Sequence, residues 1–113
     1  MDLFRAILLA VEEQPTGELW AAKPLLGHPL QDVVAHVRLI QEGGLIDARF
    51  VGPASNEAAI VLRITNDGYD FIEAAMQPKL WGKAKQLVRA SGAPLTVPAL
   101  KRAFDILISQ MLK

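Results

Sequence analysis

Val33, Val34, Val37 and Ile40 recur at three- and four-residue steps, which puts them on one face of a helix running from Gln31 to Glu42. Gly43 and Gly44 follow, two residues suited to the left-handed backbone that ends a helix. The period then drops to two. From Leu45 to Val51, Ile46, Ala48 and Phe50 alternate with Asp47, Arg49 and Val51, as in a strand. Gly52 to Glu57 is polar and turn-forming. Ala58 to Ile64 reads as the return strand, with Ile60, Leu62 and Ile64 on one side and Val61 and Arg63 on the other. The middle of the chain therefore predicts a buried helix, an abrupt stop and a β-hairpin.

The flanks are mostly helical. Leu3, Phe4, Ile7, Leu8 and Val11 form one stripe of a first helix over Asp2 to Gln14, with Asp2 at the positive end of its dipole and Pro15 and Gly17 beyond it. Glu18 to Pro29 is irregular, because Pro24 and Pro29 limit any helix there. A short extended piece is expected in it, a third strand against the hairpin, with Trp20 as a core plug. Thr65 or Asn66 caps the next helix, whose apolar side is Phe71, Ile72, Ala75 and Met76. Pro78 restarts a helix over Lys79 to Ala90 with Leu80, Trp81, Ala84, Leu87 and Val88 inward, and Ser91 to Pro94 breaks it. Thr96 caps a last helix carrying Leu100, Ala103, Phe104, Leu107, Ile108 and Met111.

A chain of 113 residues, 51% of them hydrophobic, fits one ordinary domain with a real core. It has no cysteine, which excludes disulfides and thiolate chemistry and suits a reducing cytoplasm. The mixed charges of the first thirteen residues do not read as a secretory signal, and no stretch approaches the ~20 apolar residues of a membrane span. A soluble, cytoplasmic protein without membrane contact is expected.

Formal charge is zero, but it is divided. Residues 1–77 hold five cations against eleven carboxylates, net −6; residues 78–113 hold seven cations against Asp105, net +6. Such asymmetry marks a polyanion-binding arm, or two halves or two subunits that attract each other.

The segment A-H-V-R-L-I-Q-E-G-G-L-I resembles the recognition helix and wing start of small winged-helix repressors. With D-L-F-R-A-I-L-L-A-V-E-E before it, and R-I-T-N-D-G-Y-D-F-I-E-A-A and the W-G-K-A-K run after it, the chain resembles an uncharacterised family of small bacterial and prophage proteins, domain of unknown function 2513. The resemblance implies a winged-helix-like body with a helical C-terminal extension, and no activity. One departure stands out. Where DNA-binding winged helices carry a bracing helix, this chain has W-A-A-K-P-L-L-G-H-P, which two prolines make a poor helix.

The expected fold is thus α+β, mainly α. A winged helix-turn-helix-like body with a two- or three-stranded wing spans 1–77. Over 78–113 a helical extension packs on that body or on a second subunit, the whole forming a single domain.

Candidate DNA contacts are Gln31, His36 and Arg38 on the central helix, Arg49 and Arg63 on the wing, and Lys79, Lys83, Lys85 and Arg89 on the basic helix. Against them, Asp32 and Glu42 on the same helix repel phosphates, and each of these cations is also an ordinary surface residue. His28 and His36 lack H-E-x-x-H spacing, and no G-x-S-x-G, P-loop or G-x-G-x-x-G occurs, so no metal, cofactor or enzymatic activity is expected. Two functions remain: a DNA-binding transcriptional regulator of phage or prophage type, placed first because the fold most often does that, and a protein-interaction module of the same shape without DNA binding. Homodimerisation through the C-terminal helices is compatible with either.

Overall fold

A computed structural model describes residues 2–15 and 17–111, Asp2 by its backbone alone, so the side chain expected to face the dipole of the first helix lies outside the described residues. The order is α1 (Asp2–Glu12), β1 (Trp20–Ala21), α2 (Leu30–Glu42), β2 (Ile46–Val51), a 3-10 turn (Ala54–Asn56), β3 (Ala58–Ile64), α3 (Asn66–Ala75), α4 (Pro78–Ala90) and α5 (Val97–Met111). The protein is α+β and mainly helical, with one three-stranded antiparallel sheet in the order β1-β3-β2.

Val33, Val34, Val37 and Ile40 of α2 are all buried, and α2 packs between α1 and the hairpin. Each such side chain contributes about 1.5–3 kcal/mol relative to exposure, so the middle segment anchors the fold. Leu3, Phe4, Ile7, Leu8 and Val11 complete that layer from α1, which closes at Glu12, two residues before the expected Gln14. Arg5 ties α1 to the far end of α3: its Nε–H donates to the Ala75 carbonyl at 2.7 Å, a cation on a helix C-terminus.

The expected third strand is present but only two residues long. Trp20 pairs with Val61 and Ala21 with Ile60, and Trp20 is buried as a core plug. Pro24 then ends the pairing, since it has no N–H to donate. Among the described residues no helix lies between β1 and α2. A tight turn fills the place, with Leu25 and His28 exchanging backbone hydrogen bonds of 3.3 and 2.8 Å around Leu26 (φ 50°) and Gly27 (φ 79°).

The face assignment of β3 needs correction. Val61 and Ala59 point into the core and Leu62 is exposed, the reverse of simple alternation with Ile64. Asp47 pairs with Arg63 but Ala48 pairs with Val61, so Leu62 is an extra residue on β3. That bulge resets the pleat and lets Val61 and Ile64, three apart, both face inward. On the outer edge of β2, the Gln41 side-chain carbonyl accepts the Ala48 N–H, so a side chain covers an amide that would otherwise invite strand addition.

The double glycine also works differently from expectation. Gly44 alone is left-handed (φ 81°), while Gly43 is right-handed (φ −76°). Gly43 is there for closeness: a Cβ on it would run into Val97 Cγ1 and stand 2.7 Å from Val97 Cβ, at the start of α5. Gly43→Ala is therefore expected to cost about 1–3 kcal/mol by overpacking, and Val97→Ala in the same chain to recover part of it. Urea unfolding of the single and double variants checks this, and strictly additive losses would rule the contact out.

Thr65 is the cap of α3. Its Oγ1 accepts the Gly68 N–H at 3.0 Å and donates to the Gly44 carbonyl at 2.6 Å, while its own N–H donates to Leu45 O at 3.0 Å. The start of α3 is thus stapled to the turn that ends α2. Along α3 the inward set is Phe71, Ile72, Ala74 and Ala75; Met76, expected inside, is exposed, because α3 closes there and α4 leaves at Pro78. Phe104 of α5 meets Phe71 edge-on at 5.2 Å and lies 6.2 Å from Trp81, which fastens α4 and α5 to the rest. Thr96 caps α5 through the Ala99 N–H at 3.3 Å. The stripe of α5 is buried only as far as Phe104; Leu107 is half-buried, and Ile108 and Met111 are exposed.

Candidate functional site

The outward face of α2 consists of Gln31, Asp32, Ala35, Leu39 and Glu42, with Arg38 at its margin. Of the three candidate readers, Gln31 stands free in solvent. His36 is half-buried, with its ring edge-on to Phe4 at 5.0 Å and its Nδ1 2.8 Å from the Asp32 carbonyl oxygen. A carbonyl can only accept, so Nδ1 carries the hydrogen. The ring is thereby held on its own helix and against α1. Arg38 forms an ion pair with Glu57, just before β3, and its guanidinium stacks 4.1 Å above the Phe50 ring. It clamps the hairpin to α2, a cation–π contact of roughly 0.5–1 kcal/mol at such exposure.

On the hairpin, Arg63 is paired across the strands with Asp47, Nε to Oδ2 at 2.5 Å. Arg49 is exposed and has no ion pair among the described residues. The four cations of α4 sit elsewhere, because α4 packs on α3 and α5 while α2 packs on α1 and the hairpin. Lys79 and Lys83 line a groove with Leu107, Gln110 and Met111. Lys85 is half-buried, with Nζ 5.6 Å from the Trp81 ring centroid, and Arg89 is exposed in the last turn of α4, where a cation suits the helix dipole.

The nine candidates therefore do not form one surface. The folding brings Arg38 to the hairpin but spends it there, and it leaves the basic helix on another part of the molecule. Glu57 and Phe50, the residues that occupy Arg38, were not identified from sequence; nothing local in the chain signals contacts made nineteen and twelve residues away. No polar or charged side chain among the described residues is buried, and no group of three potential metal ligands converges. A groove of about 300 Å³ beside Trp20 and Tyr69 carries Glu12, Glu18 and Arg63 on its walls. Among the described residues no helix is long and apolar enough to cross a membrane.

Fold and surface together define a small α+β protein whose central helix runs directly into a clamped β-hairpin, with a helical extension behind. The chain belongs to the family described as "Hypothetical protein (DUF2513)", whose model matches residues 1–94. It is also similar to an "Uncharacterized protein" of Haemophilus influenzae, 28% identical over 113 residues that cover 98% of this chain and 95% of the relative. No solved structure matches.

Proposed function

We propose that this chain is a non-enzymatic protein-interaction module of winged-helix shape, acting in the cytoplasm and offering the outward face of α2 to a protein partner. The observation that carries this reading is Leu39, 48% exposed on a face whose arginine is already committed to Glu57 and Phe50. Asp32 and Glu42 stand toward the two ends of that face. An apolar residue between carboxylates suits a partner with an apolar socket edged by lysine or arginine. It is poorly made for DNA, whose binding depends on neutralising phosphates.

Two further features support the reading. Leu26 is 67% exposed and left-handed, a conformation that costs a non-glycine residue roughly 1–2 kcal/mol. A strained leucine in water, a few residues before α2, fits a contact residue better than a folding one. The eight residues between β1 and α2 hold only a tight turn over Leu25 to His28, where DNA-binding winged helices carry the helix that crosses the phosphate backbone.

The phage- or prophage-type DNA-binding regulator is the second reading, and one observation favours it. Arg49, Lys79, Lys83 and Arg89 are exposed with no ion pair among the described residues. Fluorescence anisotropy with random duplex DNA separates the two. The first reading expects no binding at about 50 mM salt, where phosphate contacts are strong. Binding that weakens steeply with salt, and falls further in Arg49→Ala or Lys79→Ala/Lys83→Ala, would replace it with the second. In parallel, affinity capture from host cells should retain a protein that Leu39→Asp releases while the fold stays intact.

A further inference from the structure

The end of α5 carries a feature that the α2 face does not explain. Its apolar stripe runs on past the core: Ile108 is 39% and Met111 70% exposed, beside the half-buried Leu107. Charge of opposite sign borders this strip on its two sides. Toward α3, Asp70 and Glu73 share a groove with Ile108 and Met111. Toward α4, Lys79 and Lys83 share a groove with Leu107 and Met111. None of these four charges has an ion-pair partner among the described residues, whereas neighbouring Asp67 is already served by Lys101 at 3.7 Å. Met111 lines both grooves, so an apolar strip separates an acidic wall from a basic one.

We propose that this face is covered by a second copy of the chain, with the two α5 helices parallel about a two-fold axis that runs along them. The charge pattern selects both the occupant and the axis. A half-turn about an axis parallel to α5 turns the face over and exchanges its sides, so the acidic wall of each copy meets the basic wall of the other. A half-turn about an axis across α5 sets acid on acid and base on base, and like charges so placed cost affinity. A closed two-fold contact uses the same patch on both subunits, and this patch is complementary to itself. The inference does not rest on the reading of α2, which concerns a different surface.

Sedimentation equilibrium of the full chain at high micromolar concentration should return twice the 12.3 kDa of one copy. Ile108→Asp/Met111→Asp should return the single mass with unchanged circular dichroism. Lys79→Glu/Lys83→Glu should raise the dissociation constant at least about tenfold. Adding Asp70→Lys/Glu73→Lys to that variant should restore the dimer, because the walls are then exchanged but still opposite. The protein lacks cysteine, so Ile108→Cys or Met111→Cys introduces a single thiol per chain. Parallel helices place each of these positions near its own copy, and both should cross-link on mild oxidation. A monomeric wild type overturns the proposal, as does a dimer indifferent to Ile108→Asp/Met111→Asp or a folded charge-exchanged variant that stays monomeric. A dimer in which neither cysteine cross-links overturns the parallel arrangement.

Discussion

Gly68→Ala is expected to lower stability by about 3 kcal/mol or more, the upper end of what overpacking costs. The added methyl would lie inside the contact surface of the Leu45 carbonyl oxygen and 2.7 Å from Ile64 Cγ2. Rotation of a side chain cannot relieve a clash with backbone. The carbonyl cannot retreat without loss either, because it accepts the Thr65 N–H at 3.0 Å, in the staple that joins the end of α2 to the start of α3. For a domain of this size the loss corresponds to a fall in melting temperature of roughly ten degrees. Gly82→Ala supplies the contrast. Gly82 lies within α4 with nothing within 4 Å of a built Cβ, so the same change there removes only the helix penalty of glycine, and should stabilise by about 1 kcal/mol. Calorimetry of the two variants measures both. Equal and small effects would mean that α3 does not approach Leu45 as described.

Phe104→Ala is expected to cost about 3–5 kcal/mol, the range for emptying a buried aromatic site. Phe104 is 3% exposed and touches both Phe71 of α3 and Trp81 of α4, so its loss opens the place where the extension meets the body. Because buried residues from α1 through α5 form one continuous cluster, thermal unfolding should remain a single transition at a lower temperature. Two resolved transitions would instead make 1–77 and 78–113 separate folding units.

These two changes illustrate what can be read from the chain. Phe104 as a core residue is visible in the periodicity of α5, where it stands four residues after Leu100. Gly68 is not. A glycine early in a capped helix reads as a poor helix former, and only the approach of the Leu45 carbonyl explains it. The same division runs through the α2 face. That Val33, Val34, Val37 and Ile40 point inward follows from spacing, and so does the exposure of Leu39. That Arg38 is engaged depends on where the hairpin folds back, which placed Glu57 and Phe50 beneath it. The bulge at Leu62 belongs to the same class, because a shift of register is a property of two strands together.

Two glycines in a row and a proline-bounded irregular segment were legible as breaks, since the backbone limits of glycine and proline are local. Their particular uses were not: Gly44 turns the chain, Gly43 makes room for Val97, and the irregular segment supplies a two-residue strand and a tight turn.

By itself, the sequence determined the elements, the inward face of the helices short of the ends of α3 and α5, and the division of charge between front and rear, because these depend on steps of two, three or four residues and on composition. Only the tertiary structure decided which charges remain available. An ion pair or a stacked ring joins residues whose separation along the chain carries no period. It therefore took the folded arrangement to occupy Arg38 and Arg63 and to set acid and base on opposite sides of Met111.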